Sequence, residues 1–320
     1  MIIQSLASEA KSFTEPAEYA AAMHGAKVEL SVLAAKPFTA DITYIRLNSI
    51  HIHRFSEVLP RIMHSAITTN RAVISLHTKP GPSLFRAGRE VASDAIVRAA
   101  PYQSCFQRSM GPLCWGTMSL PFEEMQRASI TVGGYHLSPP HDDVIVIPPP
   151  SALEKFRRLH KAIETLAGDT PEVIAVPEVA HGLEQALIQA MVTCCLGTTE
   201  FHADRAAQRH HQTIMRRFHK ALEAAPNQPL HVIEVAQAVG TSVRSLSACC
   251  QESLQMGPKK FLMLRRMHLA RQALSVADPV ATSVTKVATQ YGFWELGRFS
   301  VEYKSLFGES PSVTLRRERR

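Results

Sequence analysis

An eight-residue pattern occurs twice in the last third of the chain and constrains the fold more than any other feature. The segments "VAQAVGTS" (Val235–Ser242) and "VATQYGFW" (Val287–Trp294) align without a gap, and in each a glycine follows four residues after an alanine. A small residue lets two helices cross closely, and glycine suits a bend that needs a positive φ. The residues that meet these demands are Ala236, Gly240, Ala288 and Gly292. The repeat therefore predicts two helix-turn-helix motifs, at about 232–252 and 284–307.

Each copy continues into a second amphipathic helix. Leu246 and Cys250 are four residues apart in the first copy, and Phe299 and Tyr303 repeat this spacing in the second. Side chains four residues apart lie on the same face of a helix. We therefore expect each pair to be buried, with the opposite face of its helix turned outward.

A further helix is predicted between the two copies, opened by Gly257-Pro258 and closed near Asp278-Pro279. Its roughly 20 residues span about 30 Å. Major-groove segments on one face of B-DNA lie about 34 Å apart. A linker helix of this length is thus suited to hold two recognition helices in successive grooves of one duplex.

The excess positive charge of the chain lies in the region that holds the repeat. Residues 214–320 contain 16 Lys and Arg against 8 Asp and Glu, a net charge of +8, whereas residues 1–213 carry a net charge of −1. A basic domain is typical of proteins that bind a polyanion. The alternative is a basic surface that serves only solubility.

Residues 214–320 resemble the DNA-binding domain of the AraC/XylS family of bacterial transcription regulators. The resemblance is carried by "VIEVAQAVGTSVRSL", by "GPKKFLMLRRMHLARQAL" and above all by "VATQYGFWELGRFSVEYKSLFGESPSVTLRR". It implies a cytoplasmic, non-enzymatic, sequence-specific transcription regulator, expected to be an activator. The partners it implies are double-stranded promoter DNA, a small-molecule effector, RNA polymerase and a second copy of the chain. The front two-thirds is similar in outline only, since the family usually carries a cupin-like effector barrel followed by dimerising helices.

The resemblance and the helical periodicity together assign roles in the two recognition helices. In the first helix, Arg244, Ser247 and Ala248 face outward as base-reading candidates. The family often has Arg at the position of Ala248, and because alanine cannot replace that contact, Arg244 is the leading candidate. In the second helix, Arg298 and Val301 are the candidates. The family commonly has Arg at the position of Val301, so the valine there leaves Arg298 as the leading candidate. Phosphate contacts are expected from Thr241, Ser242, Ser300 and Lys304. For each of these residues the alternative is a solvated helix face.

The front of the chain contains many short runs typical of strands. Examples are "KVELSVL", "DITYIRLNSIHIHRF" and "AVISLHT", with breaks such as "KPGPS" and "MGP", a pattern that favours a small barrel or sandwich. We therefore predict an α+β chain. Residues 1–150 form a cupin-like effector-binding β-barrel, 151–200 a helical dimerisation segment and 201–213 a linker. Residues 214–320 form the all-α DNA-binding domain, with two helix-turn-helix motifs joined by a linker helix.

The dimerisation segment is predicted from an apolar stripe at helical spacing, formed by Leu153, Phe156, Leu159, Ile163 and Leu166. Such a stripe either pairs two copies of the chain or packs on its own domain.

The histidines of the front domain have two possible interpretations, as effector contacts or as metal ligands. We expect Arg46, His51, His53 or His77 to supply polar contacts to an effector inside the barrel. Alternatively, "HIHRFSE" has the H-x-H-x-x-x-E spacing of a metal-binding cupin, in which His51, His53 and Glu57 hold Fe(II), Mn(II) or Zn(II). The chain would then be a metal-binding cupin enzyme or metal sensor fused to a DNA-binding domain. Ile45 replaces the glycine expected ahead of this motif, so we favour structural histidines and expect no cofactor.

Several other classes are disfavoured by the sequence. It has no Ser-His-Asp order, no glycine-rich phosphate loop and no zinc-spaced cysteine set. The longest apolar run is too short to span a bilayer, and the N-terminus lacks an export pattern. We therefore expect a cytoplasmic protein that is not an enzyme, has reduced thiols and does not contact the membrane.

Overall fold

The chain combines a sheet-rich front region with a helical C-terminal region, as the α+β prediction required. A computed structural model describes residues 7–199, 205–225 and 228–317. Its strands are β1 (Ala7–Phe13), β2 (Ala26–Val32), β3 (Ala40–Leu47), β4 (Ile50–Glu57), β5 (Arg61–Ile67), β6 (Arg71–His77), β7 (Leu84–Arg86), β8 (Arg89–Val91), β9 (Ile96–Ala99), β10 (Ser104–Ser109), β11 (Leu113–Pro121), β12 (Val144–Ile147) and β13 (Thr198–Thr199). Its helices are α1 (Pro16–Ala21), α2 (Phe122–Gly133), α3 (Pro150–Asp169), α4 (Pro171–Ile174), α5 (Pro177–Cys195), α6 (Arg205–Ala224), α7 (Val232–Val239), α8 (Val243–Leu254), α9 (Pro258–Val276), α10 (Val284–Gln290), α11 (Leu296–Phe307) and α12 (Pro311–Arg316).

The described strands form two antiparallel sheets. The larger sheet has the order β1-β3-β4-β11-β6-β9-β12-β13, and the smaller has the order β2-β5-β10-β7-β8. No backbone pairing within the described ranges joins the two sheets, so the predicted cupin-like β-barrel is not closed. Of the edge strands, β1 and β2 contain seven residues each, whereas β8 and β13 contain only three and two. Edges this short offer few backbone groups for pairing with a further strand.

The two sheets face each other across a shared apolar core. Ile42, Phe55 and Trp115 of the larger sheet pack in one cluster with Val32 and Met63 of the smaller sheet. The opposite face of the larger sheet is also apolar and is covered by α2, α3 and α5. Strands such as β4 are therefore buried on both faces, and their sequences lack a simple alternation of apolar and polar residues.

The apolar stripe of α3 packs inside its own chain. Leu153, Phe156 and Ile163 are at most 3% exposed and lie in the cluster formed with the larger sheet and α5, while Leu159 and Leu166 pack against the same cluster. The sheet leaves an apolar face that must be covered, and this stripe covers it. The surface predicted to pair two copies is thus occupied within the chain, and it gives the expected dimer no support.

The C-terminal region contains two separate cores. Helices α6 to α8 and the start of α9 form the first core, and this core includes Ile62 and Phe106 from the smaller sheet. The rest of α9 packs with α10, α11 and α12 in the second core. Part of the predicted linker 201–213 is helical, because α6 begins at Arg205, and residues 201–204 lie outside the described ranges. The large apolar residues of α6 begin only at Ile214, so the mostly polar sequence before it did not indicate a helix.

Among the helices described, none is both long enough and apolar enough to cross a lipid bilayer.

Candidate nucleic-acid interface

The two copies of the repeat adopt the same local geometry. Gly240 and Gly292 have φ angles of 73° and 75°, in the left-handed region that glycine tolerates. The amide of Thr241 donates to the Ala236 carbonyl at 3.0 Å, and the amide of Phe293 donates to the Ala288 carbonyl at 2.9 Å. Both bonds close the end of a helix around a positive-φ glycine. The sequence repeat therefore corresponds to a repeat of backbone structure.

The small alanines and the apolar pairs take the buried positions that the sequence predicted. Ala236 is 3% exposed and Ala288 is fully buried. The buried residues of the following helices include Leu246, Cys250, Phe299 and Tyr303. The Tyr303 hydroxyl donates to Thr314 Oγ1 at 2.8 Å and so joins α11 to α12. Burial of these faces leaves the opposite faces of α8 and α11 outward.

The predicted base-reading residues lie mostly on those outward faces. Arg244, Ala248 and Arg298 are exposed, and Val301 is 70% exposed, whereas Ser247 is half-buried. Among the predicted phosphate contacts, Lys304 is exposed, and Thr241 and Ser300 are half-buried. The hydroxyl of Ser242 has a structural role, since it accepts from the Ser245 amide at 3.0 Å and caps α8.

Arg298 is held by a neighbour on its own helix. Its Nε donates to Glu302 Oε1 at 2.8 Å, and this hydrogen bond and charge raise the pKa of Arg298 above its ordinary value. The predicted base-reading role of Arg298 requires that a base edge replace Glu302 as the partner of this guanidinium. Because both side chains are at the surface, the pair is weak and easily exchanged.

A second candidate site lies between the two sheets of the front region. A cavity of about 290 Å³ is lined by residues of both sheets and of the segment after α1. His51 and His53, two of the predicted effector contacts, line it. Arg46 and His77 do not belong to its lining, although each lies two residues beyond a lining residue on its strand, namely Tyr44 on β3 and Ser75 on β6.

The sequence did not single out three other lining residues, Tyr44, Arg71 and Trp115. Each lies on a strand whose two faces are both buried in part, so alternation gave no signal of which side chains enclose space. The spatial order of the strands, in which β4 lies between β3 and β11, brings them beside the histidines.

Burial is the main cause that lowers the pKa of His51 and of His53 to about 4, so both side chains are expected to be neutral at pH 7. The charges of Arg71 and Arg46 act in the same direction on the pKa of His51. His53 Nδ1 lies 3.3 Å from Thr117 Oγ1, but its Nε2 is buried and has no hydrogen-bond partner in the described part of the chain. A buried polar atom without a partner is costly, and a polar group of a ligand would satisfy it.

Glu57, the third residue of the alternative metal site, is engaged elsewhere. Its carboxylate accepts from Tyr19 Oη at 2.8 Å, from Arg61 Nε at 2.8 Å and from Trp115 Nε1 at 3.2 Å. Within the described ranges, no three His, Cys, Asp or Glu side chains are grouped so that they could hold a metal ion. The H-x-H-x-x-x-E spacing therefore does not correspond to a shared site, because Glu57 pairs with Arg61.

The helix pairs α7–α8 and α10–α11 define a class of domain. Comparisons with known proteins identify the same class. Residues 235–317 match the family model described as a helix-turn-helix domain. This region is an AraC-type helix-turn-helix domain, and the relatives of the chain are AraC/XylS-type regulators, as the sequence resemblance predicted.

The alignments with these curated relatives cover less than a third of the chain. Over 95 residues the chain is 50% identical to the "Probable thc operon regulatory protein" of Rhodococcus erythropolis, covering 30% of this chain and 29% of that protein. Over 92 residues it is 36% identical to "XylDLEGF operon transcriptional activator 3" of Pseudomonas putida, covering 29% of this chain and 28% of that protein. The chain thus spans less than a third of the length of these curated relatives.

A similar solved structure is a probable AraC family transcriptional regulator from Rhodopseudomonas palustris CGA009. It is 33% identical to this chain, and the match covers 33% of this chain and 98% of that chain with a TM-score of 0.30.

Proposed function

We propose that the chain is a sequence-specific DNA-binding transcription activator that responds to a small molecule. The observation that carries this proposal is the repeated helix–turn–helix geometry, which leaves the predicted base-reading side chains of α8 and α11 mostly exposed in a region of net charge +8. Each helix pair serves as one helix-turn-helix motif, and α9 holds the two motifs for successive major grooves. RNA polymerase and a second copy of the chain are proposed partners on the basis of the resemblance alone.

Arg298→Ala in the full chain is expected to weaken binding to a specific DNA site by about 1–3 kcal/mol and to relax the base preference at one position. The site is obtained by selection from random duplexes, and affinities are measured at fixed salt concentration. Lys11→Ala is the matched control, because it removes one exposed cation of the front region. Unchanged affinity of Arg298→Ala would remove this residue from the reading face.

The cavity between the sheets is the proposed effector site. Its lining is mainly apolar, and the unpartnered Nε2 of His53 provides a polar contact. Its lining residues include Arg71 and Arg86 but no Asp or Glu, and Arg86 is already paired with Asp143 at 2.6 Å. This arrangement favours a small neutral or anionic metabolite over a cation, since no carboxylate among the lining residues would compensate a positive charge.

Strand β10 offers a direct route from the cavity to the first recognition helix. Gln107 lines the cavity, and the next residue, Arg108, points to the other face of the strand. There its Nη1 donates to the carbonyls of Leu254 at 2.7 Å and Gln255 at 2.8 Å, at the C-terminal end of α8. A cation at this end of a helix is favourable. A ligand that moves β10 thus changes a contact that positions α8.

Arg108→Ala is expected to preserve ligand binding and to reduce the effect of the ligand on DNA affinity, which is typically 1–3 kcal/mol in coupled systems. A ligand is first identified by its thermal shift of the full chain across a panel of metabolites, and DNA affinity is then measured with and without it. If the ligand gives Arg108→Ala the same thermal shift as the unsubstituted chain and changes its DNA affinity by as much, this route is disproved. A chain that shows no shift with any compound, and activates a reporter equally in all conditions, would instead refute the sensor role.

A further inference from the structure

The second helix pair carries exposed apolar side chains where the proposed function requires DNA contacts. Trp294 is 78% exposed and Val301 is 70% exposed. Trp294 directly precedes Glu295, the N-cap of α11, and Val301 lies on the helix itself, seven residues after Trp294 in the chain. Arg298 lies between them on the outward side. We call Trp294, Arg298 and Val301 the outer stripe of α11.

Trp294 is not needed for the core of the domain. The aromatic position that packs against α11 is filled by Phe293, which is 9% exposed and has its ring centroid 4.8 Å from that of Phe299. The Arg266 guanidinium covers the Phe293 ring at 5.1 Å. A hydrophobic residue ahead of an N-cap often packs onto the following helix. Here Phe293 packs in this way, and the indole of Trp294 remains in solvent.

The surroundings of the outer stripe fit duplex DNA rather than an apolar partner. On α11 the exposed cations Arg298 and Lys304 are balanced by Glu295 and Glu302, but residues 214–320 as a whole carry a net charge of +8. The stripe also lies within residues 235–317, the region that matches the helix-turn-helix family model. A phosphate backbone on either side of a groove complements this charge, while the floor of the groove meets the stripe.

Within the major groove, thymine presents a methyl group at C5. Valine has no hydrogen-bonding side-chain group, so at a base-contacting position it recognises apolar surface only. An indole likewise offers a broad apolar face. We propose that the second helix pair recognises thymine methyl groups through Val301 and Trp294, with Arg298 supplying the hydrogen bonds between them. This inference rests on the proposed DNA-binding function.

The test uses the full chain and a duplex site selected from a random library. Each thymine of that site is replaced in turn by deoxyuridine, which keeps the base pair and removes only the methyl group. Within the part of the site whose base preference changes in Arg298→Ala, one or two replacements are expected to raise Kd about fourfold each. In Val301→Ala or Trp294→Ala, the thymine and deoxyuridine duplexes should bind equally at the corresponding position.

Val280→Ala is the matched control, because Val280 is 94% exposed in the loop before α10 and lies outside the outer stripe. This variant should keep the full discrimination between the two bases. Equal affinity for both bases in the unsubstituted protein, or discrimination that survives in both stripe variants, would overturn the inference. So would a Trp294→Ala protein that binds DNA normally but no longer activates a reporter, since the indole would then contact a protein. A library that yields no preferred site refutes the proposed function itself, and the inference with it.

Discussion

Glu57→Gln is expected to lower the free energy of unfolding by about 3–5 kcal/mol, because it leaves a buried guanidinium without its counter-charge. Arg61 is 1% exposed and Glu57 is 2% exposed, and their side chains are 2.8 Å apart. The Tyr19 hydroxyl also donates to this carboxylate, and burial together with the Glu57 charge holds the pKa of Tyr19 well above its ordinary value. The measurement is urea unfolding of the full chain at pH 7.

The control separates the effect of leaving Arg61 without a counter-charge from other effects of the substitution at position 57. In Glu57→Gln combined with Arg61→Met, neither charge remains, so the double variant is expected to be more stable than Glu57→Gln alone. Glu154→Gln, on the exposed face of α3, should have little effect. A loss below about 1 kcal/mol in Glu57→Gln would mean that Arg61 does not depend on this carboxylate.

Acidification from pH 7 to pH 5 is expected to destabilise the contact between the smaller sheet and α6. His64 of β5 and His219 of α6 stack with their ring centroids 3.1 Å apart, and both are 4% exposed. Burial is the main cause that lowers the pKa of His64 to about 2 and that of His219 to about 4. Lys27 and Arg265 lower the pKa of His219 further, whereas Glu223, 3.5 Å from its Nδ1, raises it.

The direction in which pH changes the stability follows from these lowered pKa values. In the unfolded chain the two imidazoles take up protons near pH 6.5, while in the folded chain they remain neutral to a much lower pH. Their contribution to stability is therefore complete above pH 6.5 and decreases by about 1.4 kcal/mol per pH unit for each histidine as the pH falls toward the folded values. Urea unfolding of the full chain at pH 7, 6 and 5 measures this dependence.

His64→Phe is the matched variant, because it keeps an aromatic ring against His219 and Phe106 and cannot be protonated. Its stability should fall less steeply between pH 7 and pH 5 than that of the unsubstituted chain. Other buried histidines such as His160, whose pKa burial lowers to about 3, contribute equally to both proteins. Identical slopes for the two proteins would show that the stacked pair does not govern the acid response.

The sequence predicted the C-terminal region well because its signals are local. A helix–turn bend depends on residues within one or two turns, so Ala236 and Gly240 were enough to predict the bend that the structure contains. Burial of Leu246 and Phe299 followed from helical periodicity in the same way. Only the base-reading and phosphate roles of these helices remain predictions, since they depend on DNA.

The front region was predicted less well because its arrangement depends on residues distant in the chain. Whether the strands close into a barrel is decided by pairing between edges, which no short segment specifies. The stripe of α3 was identified correctly, but the sequence did not reveal that the larger sheet leaves an apolar face for Phe156 to cover. The spacing of His51, His53 and Glu57 suggested one site, whereas Arg61, four residues further on, takes the carboxylate.

The division of the C-terminal region into two cores has a consequence for local unfolding. The core beneath α7 and α8 includes Ile62 and Phe106 of the front region, whereas the buried apolar side chains described for the core beneath α10 and α11 come from residues 267–315. Regions that share a core tend to open together. Amide hydrogens of α8 should therefore exchange with solvent at a rate that follows the front region, and those of α11 at an independent rate. Helices α8 and α11, which are proposed to read DNA, thus belong to different cooperative units, which meet along α9.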